Sequence, residues 1–197
     1  MPNSPLSSGP DRLAGRYSRR MSLRDRVLDA LQRLVLAGDP TPTLDAVAAA
    51  AGVSKGGLLH HFPDRQALAH GLVHRALAET DAAMASAADR GTAAATWLRL
   101  SAANGPEQAA ARALLSVLRV SAGGVDLPPD VGHAVHRWQS AIEAEVGDPV
   151  HADVVRLVGD GLFTEALLGA APAPERVEAL IAHLLTGTSS GGRESAR

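Results

Sequence analysis

The chain contains no cysteine in 197 residues, so no disulfide, thiolate nucleophile or thiolate metal ligand is available, and cysteine usage says nothing about redox compartment. It has no window of 18 or more apolar residues, which excludes a helical membrane span in this sequence. The opening stretch, MPNSPLSSGPDRLAGRYSRR, lacks the apolar core of a secretory signal, and a cytoplasmic location is expected. Lysine is reduced to a single residue, Lys55. Richness in arginine, alanine and glycine with scarce lysine is the imprint of a GC-rich genome and carries no functional message. Large aromatics are scarce too, with only Trp97, Trp138 and Phe163 beyond residue 65. No segment reads as a strand and there is no internal repeat. The net charge of −2 gives no global basic signal.

What charge there is lies unevenly. Residues 1–65 hold nine Arg or Lys against six Asp or Glu, giving +3, and residues 66–197 hold ten against fifteen, giving −5. A basic front end on an acidic body suits a nucleic-acid reader joined to something else. The length allows one or two domains with a real core. From Leu23 to about Ala37, Val27, Leu28, Leu31, Leu34 and Val35 recur at helical spacing until Gly38 and Pro40 stop them. Asp64 is a good N-cap for a long linking helix reaching about Asp89. Gly91, Asn104-Gly105-Pro106, Gly123-Gly124, Pro128-Pro129, Gly147-Asp148-Pro149 and the run from Gly169 to Pro174 punctuate the rest. The expectation is an all-α fold of roughly nine helices. Residues 1–22 read as a disordered arm and 187–197 as a disordered tail. Two readings of Arg12, Arg16, Arg19 and Arg20 are open, a DNA-following arm and a solvated tail. Met21 is also a candidate translation start, which would remove the arm.

The segment from Thr43 to Phe62, TLDAVAAAAGVSKGGLLHHF, reads as a helix-turn-helix. Thr43 is an N-cap, and Asp45 suits the positive end of a helix dipole. Leu44, Val47, Ala48 and Ala51 repeat at helical spacing. Gly52 stands where the chain must enter left-handed backbone space, and Val53 plugs the turn. Ser54 caps a second short helix whose Leu58 and Phe62 face inward together. Two helices joined by a short glycine turn form the module that lays its second helix in the DNA major groove. On that helix Lys55 reads as a phosphate or base contact, or else as a solvated residue. His60 faces away from Leu58 and Phe62 and can meet a phosphate or base acceptor. His61 contacts DNA or packs on the linking helix, and Arg65 is placed for a phosphate. Gly56 and Gly57 each cost about 1 kcal/mol of helix propensity, which a close backbone approach to DNA would justify, the alternative being an accidental loss of helicity.

The run Gly52-Val53-Ser54-Lys55-Gly56, then Leu58, then His60-His61-Phe62-Pro63, then Ala67-Leu68, resembles the signature of the tetracycline-repressor (TetR) family, over roughly Leu23 to Val73. The resemblance implies a helix-turn-helix DNA-binding domain over 23–65, braced by its first helix, and a regulatory ligand-binding and dimerisation domain over 66–186. Thr43, Ser54, Lys55, Gly56, Gly57, Leu59, His60, His61 and Arg65 are then the expected DNA-binding residues. Two positions depart from the family pattern. Position 57 is Gly where a small hydroxyl is commoner, and position 59 is Leu where a tyrosine usually meets the DNA backbone. Leu59 can instead touch a thymine methyl.

Within the body, Val154, Val155, Val158 and Leu162 on one segment, and Val177, Leu180, Ile181 and Leu184 on another, are the expected dimer interface. The alternative is that these faces pack inside one subunit. An effector cavity is expected between reader and interface, with Trp97, Leu100, Leu115, Leu118, His133, Trp138 and Phe163 as candidate lining and a small, largely apolar ligand preferred. The implied function is a ligand-responsive transcriptional regulator, a repressor acting as a homodimer on near-palindromic double-stranded DNA, with no cofactor and no membrane partner. The competing class is a helical ligand-binding or interaction protein without sequence-specific DNA binding. Two enzyme-like signals are weak. Gly52–Gly56 spells G-x-S-x-G, but a nucleophile elbow follows a strand and DAVAAAA is helix-forming. His133 and His136, near Asp130 and Glu143, lack the four well-defined ligands of structural zinc. No enzymatic activity and no metal are expected.

Overall fold

The computed structural model describes residues 22–102, 110–114 and 130–186. Of the expected arm over residues 1–22 all but Ser22 lie outside the described residues, as do the tail from 187, Leu115 and Leu118. All regular structure among the described residues is helical: α1 (Leu23–Leu36), α2 (Leu44–Ala51), α3 (Lys55–His61), α4 (Arg65–Asp89), α5 (Ala93–Ser101), α6 (Asp130–Val146), α7 (Pro149–Leu167) and α8 (Pro174–Thr186). Residues 110–114 are helical as well. The fold class is all-α. No helix among the described residues is long and apolar enough to cross a membrane.

Side-chain caps place the first four helices. The Ser22 hydroxyl oxygen accepts from the Asp25 amide at 3.0 Å, Thr43 Oγ1 from Ala46 at 3.1 Å, Ser54 Oγ from Gly57 at 3.0 Å and the Asp64 carboxylate from Ala67 at 2.7 Å. Each satisfies an amide that the helix itself leaves without an acceptor. Gly52 ends α2 at φ 65°, a conformation a side chain would strain.

Two large hydrophobic cores result among the described residues, and α4 belongs to both. The head core gathers Val27, Leu28 and Leu31 of α1, Val47 of α2, Leu58 of α3 and Phe62, and it extends onto Leu68, Leu72, Val73 and Ala76 of α4. The body core gathers Met84, Leu98, Trp138, Ile142, Val155 and Ile181, and Leu77 packs against both. The expected boundary at residue 65 is therefore crossed by packing, because the first three turns of α4 complete the head.

Small residues set how closely the helices approach. A Cβ on Gly71 would lie 2.7 Å from Phe62 Cε1 and 3.0 Å from Leu28 Cδ2, so the ring of Phe62 is seated directly on the α4 backbone. Arg75, one turn on, binds the Asp29 carboxylate and donates to the Asp25 carbonyl at 3.3 Å, tying α4 to α1. In the body, Trp97 occupies a notch over Gly159, whose Cβ would fall 2.0 Å from the indole nitrogen. Asp81 accepts from Trp138 Nε1 at 2.7 Å and from Arg137 at 2.6 Å, joining α4 to α6. Arg99 on α5 grips Glu178 on α8 with two hydrogen bonds, at 2.6 and 2.8 Å.

Gly71→Ala is expected to destabilise the protein by about 1–3 kcal/mol, the usual cost of overpacking, as read by urea denaturation. A pH dependence follows from the carboxylates. Hydrogen bonding from Arg99 holds Glu178 below the usual carboxylate range. Its contribution is therefore present above the unfolded value and lost as pH falls through the lowered one. Thermal stability should decline below about pH 4, and Glu178→Gln should flatten part of that acid limb.

Candidate functional site

α3 presents its polar side outward. Leu58 is fully buried and Phe62 nearly so, while Ser54, Lys55, Gly56, His60 and His61 are exposed. The two imidazoles meet edge to face with ring centroids 5.2 Å apart, so His61 packs against its neighbour and not into the core. Lys55 Nζ lies 3.0 Å from the Asp45 carboxylate of α2. Both groups are largely exposed, so this pair adds little stability, but it holds the ammonium at the start of α3. Thr43 and Ser54 spend their side-chain oxygens as caps. Arg65 Nη2 donates to the carbonyls of Thr41 and Pro42 at 2.8 and 3.3 Å, fixing the turn that leads into α2. Leu59 is half-buried and packs against the head core, which limits what it can offer a thymine methyl. Asp45 stands where its charge suits the first turn of α2, but its pairing with Lys55 was not expected from the sequence. No local spacing reveals that it faces a residue ten positions on.

The two glycines differ. Nothing lies within 4 Å of a Cβ added to Gly56, whereas one on Gly57 would sit 3.2 Å from Ser54 Oγ. Among the described residues no packing requires glycine at 56.

The enzyme-like signals take ordinary places. Ser54 of Gly52–Gly56 is a helix cap after a helix and a turn, not an elbow after a strand. Asp130 pairs with His74 of α4 at 3.2 Å rather than with His133.

In the body, a cavity of about 310 Å³ opens between α4, α5, residues 110–114, α6 and α7. Trp97, Leu100, Trp138 and Phe163, expected from the sequence, line it. His133, also expected there, is not among the described lining. Val131, Val135 and Trp138 turn the inner face of α6 to the cavity, and His133 falls on the opposite, exposed side. The sequence reading missed the α4 wall of Val73, Ala76, Leu77 and Thr80, together with Ser101 and Asp160. Apart from the charged Asp160 these are small or common core residues, and only the aromatic scarcity gave any signal. The indoles of Trp97 and Trp138 lie 5.6 Å apart at 37°.

The expected dimer residues divide. Val155, Leu162, Val177 and Ile181 are buried in the subunit's own core, with relative exposures of 0, 5, 3 and 7%. Val158, Leu180 and Leu184 are half-buried against that core. Val154 alone of the eight is exposed, and it lies on a stripe with Val150, Leu157 and Leu168. The helical period explains the difference. α7 carries two apolar faces, Ala152, Val155, Gly159, Leu162 and Ala166 inward and Val150, Val154, Leu157, Gly161 and Leu168 outward.

A helix-turn-helix head on a helical body with an apolar cavity is the architecture of a ligand-binding transcription regulator. Residues 28–72 match the family described as bacterial regulatory proteins, tetR family, and residues 86–189 match the tetracyclin repressor-like C-terminal domain. The chain belongs to the TetR family. No curated protein sequence matches it. A solved structure titled "Molecular basis for control of antibiotic production by a bacterial hormones" has the same fold. It aligns with TM-score 0.63 and 23% identity, covering 85% of this chain and 98% of that one.

Gly56→Ala is expected to stabilise the protein by about 1 kcal/mol through helix propensity. Gly57→Ala should gain less because its Cβ crowds the Ser54 cap. Chemical denaturation of the two variants side by side reads the difference.

Proposed function

We propose that the chain is a ligand-gated repressor that acts as a homodimer on a near-palindromic DNA site in the cytoplasm. The observation that carries this is α4, one helix that completes the head core and also forms a wall of the cavity. A ligand in the body therefore touches the helix on which the recognition helix is seated. In this reading Lys55 and His60 meet DNA from the exposed side of α3. His61, Gly56 and Gly57 border the contact, and Arg65, Thr43, Ser54 and Leu59 hold the reading head in shape. Phosphate contacts set the position of the head and base-edge contacts set its preference.

The outward stripe of α7 supports the homodimer. Val150, Val154, Leu157 and Leu168 are 73, 44, 57 and 76% exposed, and Gly161 in their midst leaves room for a facing helix. Such an apolar stripe is unusual on a free surface. Two copies joined there would hold two recognition helices about 34–36 Å apart, one turn of DNA. By analogy with the hormone-responsive control named for the similar structure, the effector is a small signalling molecule.

Fluorescence anisotropy against duplexes tiling the DNA upstream of the gene tests the proposal at roughly 150 mM salt, because affinity depends steeply on salt. Tight binding to one near-palindromic tile is expected, and equal weak binding to all tiles, or none, would sink the reading. Lys55→Ala should weaken every duplex alike and reduce the salt slope by about one. Gly56→Ala, despite its added stability, should weaken DNA binding if the α3 backbone approaches the groove closely. Leu157→Glu should halve the mass seen in sedimentation while the helical content stays unchanged. A variant that remains dimeric would place the interface elsewhere.

A further inference from the structure

Ser101 closes one side of the cavity from the end of α5. The residue is only 3% exposed, and its hydroxyl has no hydrogen-bond partner among the described residues. A buried hydroxyl without a partner costs folding stability, so its place in an otherwise aliphatic and aromatic wall calls for a reason. On the α4 wall of the same cavity, Thr80 donates to the Ala76 carbonyl at 2.9 Å and keeps oxygen lone pairs available. The described lining holds no lysine, arginine or histidine, and its one charged group, Asp160, is bridged to Arg156 at 2.5 Å. Trp97 and Trp138 supply a broad apolar surface, with Trp97 held in place by the Gly159 notch.

Building on the effector reading above, we propose that this cavity selects an uncharged amphiphile, a flat apolar body against Trp97 and Trp138 with one hydroxyl or carbonyl oxygen bound by Ser101 Oγ. An anionic ligand meets no cation in the described lining and faces Asp160, and burying an unpaired charge is strongly unfavourable. A cationic ligand has only a carboxylate already engaged by Arg156. A purely hydrocarbon ligand leaves the Ser101 hydroxyl unsatisfied. The neutral oxygen-bearing ligand satisfies the one buried polar atom of the described lining that is left without a partner.

Calorimetric titration of the full-length protein into three matched probes, 2-naphthol, 2-naphthoate and naphthalene, tests this. 2-Naphthol should bind at least about tenfold more tightly than 2-naphthoate. Ser101→Ala should lower the affinity for 2-naphthol by about tenfold and leave that for naphthalene within about twofold. The same variant should melt higher than the parent without ligand, because a buried unsatisfied hydroxyl is removed. A serine with a purely structural role would melt lower and change both probes alike. Equal or tighter binding of 2-naphthoate, an unchanged 2-naphthol affinity in Ser101→Ala, or binding of none of the three probes would overturn the proposal. Operator affinity is measured separately with 2-naphthol bound. If the binding preferences hold but DNA affinity is unmoved, the gating reading fails and the cavity chemistry stands.

Discussion

The seat of Phe62 on Gly71 is the contact from which the rest of the arrangement follows. Phe62 ends the recognition helix and is almost fully buried, and Gly71 lies two turns into α4. With no Cβ between them, the ring rests on the helix backbone, and α3 can move relative to α4 only by giving up that contact. Arg75 adds a second tie, from the next turn of α4 to Asp29 and Asp25 of α1. The head is thus fastened to α4 at both of the helices that flank α2. Close-packed interiors of this kind transmit displacement rather than absorb it.

Much of this was legible in the chain because it rests on local chemistry. Thr43, Ser54 and Asp64 cap the helices they were expected to cap. Gly52 takes the left-handed turn, and Leu58 and Phe62 point inward. Each of these depends on interactions within a few residues, which a sequence displays directly. The all-α class needed only the helical periods and the glycine and proline breaks between them.

The cavity and the outer face of α7 were legible only in part, for a physical reason. A helix with two apolar faces offers no sequence signal as to which face meets its own subunit. On α7 the choice turns on Gly159, which admits Trp97 from a segment some sixty residues earlier. Once Trp97 is seated there, Val155 and Leu162 must face inward, and Val154 and Leu157 are left outside. The cavity wall behaves alike. Val73 and Ala76 look like plain core from their spacing, and they are core, but of a helix that also borders an open space. His133 shows the converse, a polar residue near an aromatic one in sequence but turned away from it by the helical period.

The same geometry limits what a ligand can do. A molecule that fits the cavity in two positions of α4 equally well shifts nothing, however tightly it binds. A shift requires a shape that the resting wall of Val73, Ala76, Leu77 and Thr80 cannot accommodate without α4 giving way. Gly71, two residues before that wall, and Arg75, within its span, are both tightly engaged. Any ligand that displaces the wall therefore works against Phe62 and the Asp29 ion pair at the head. Differential binding energy has to exceed the cost of loosening these contacts before the recognition helix changes its position.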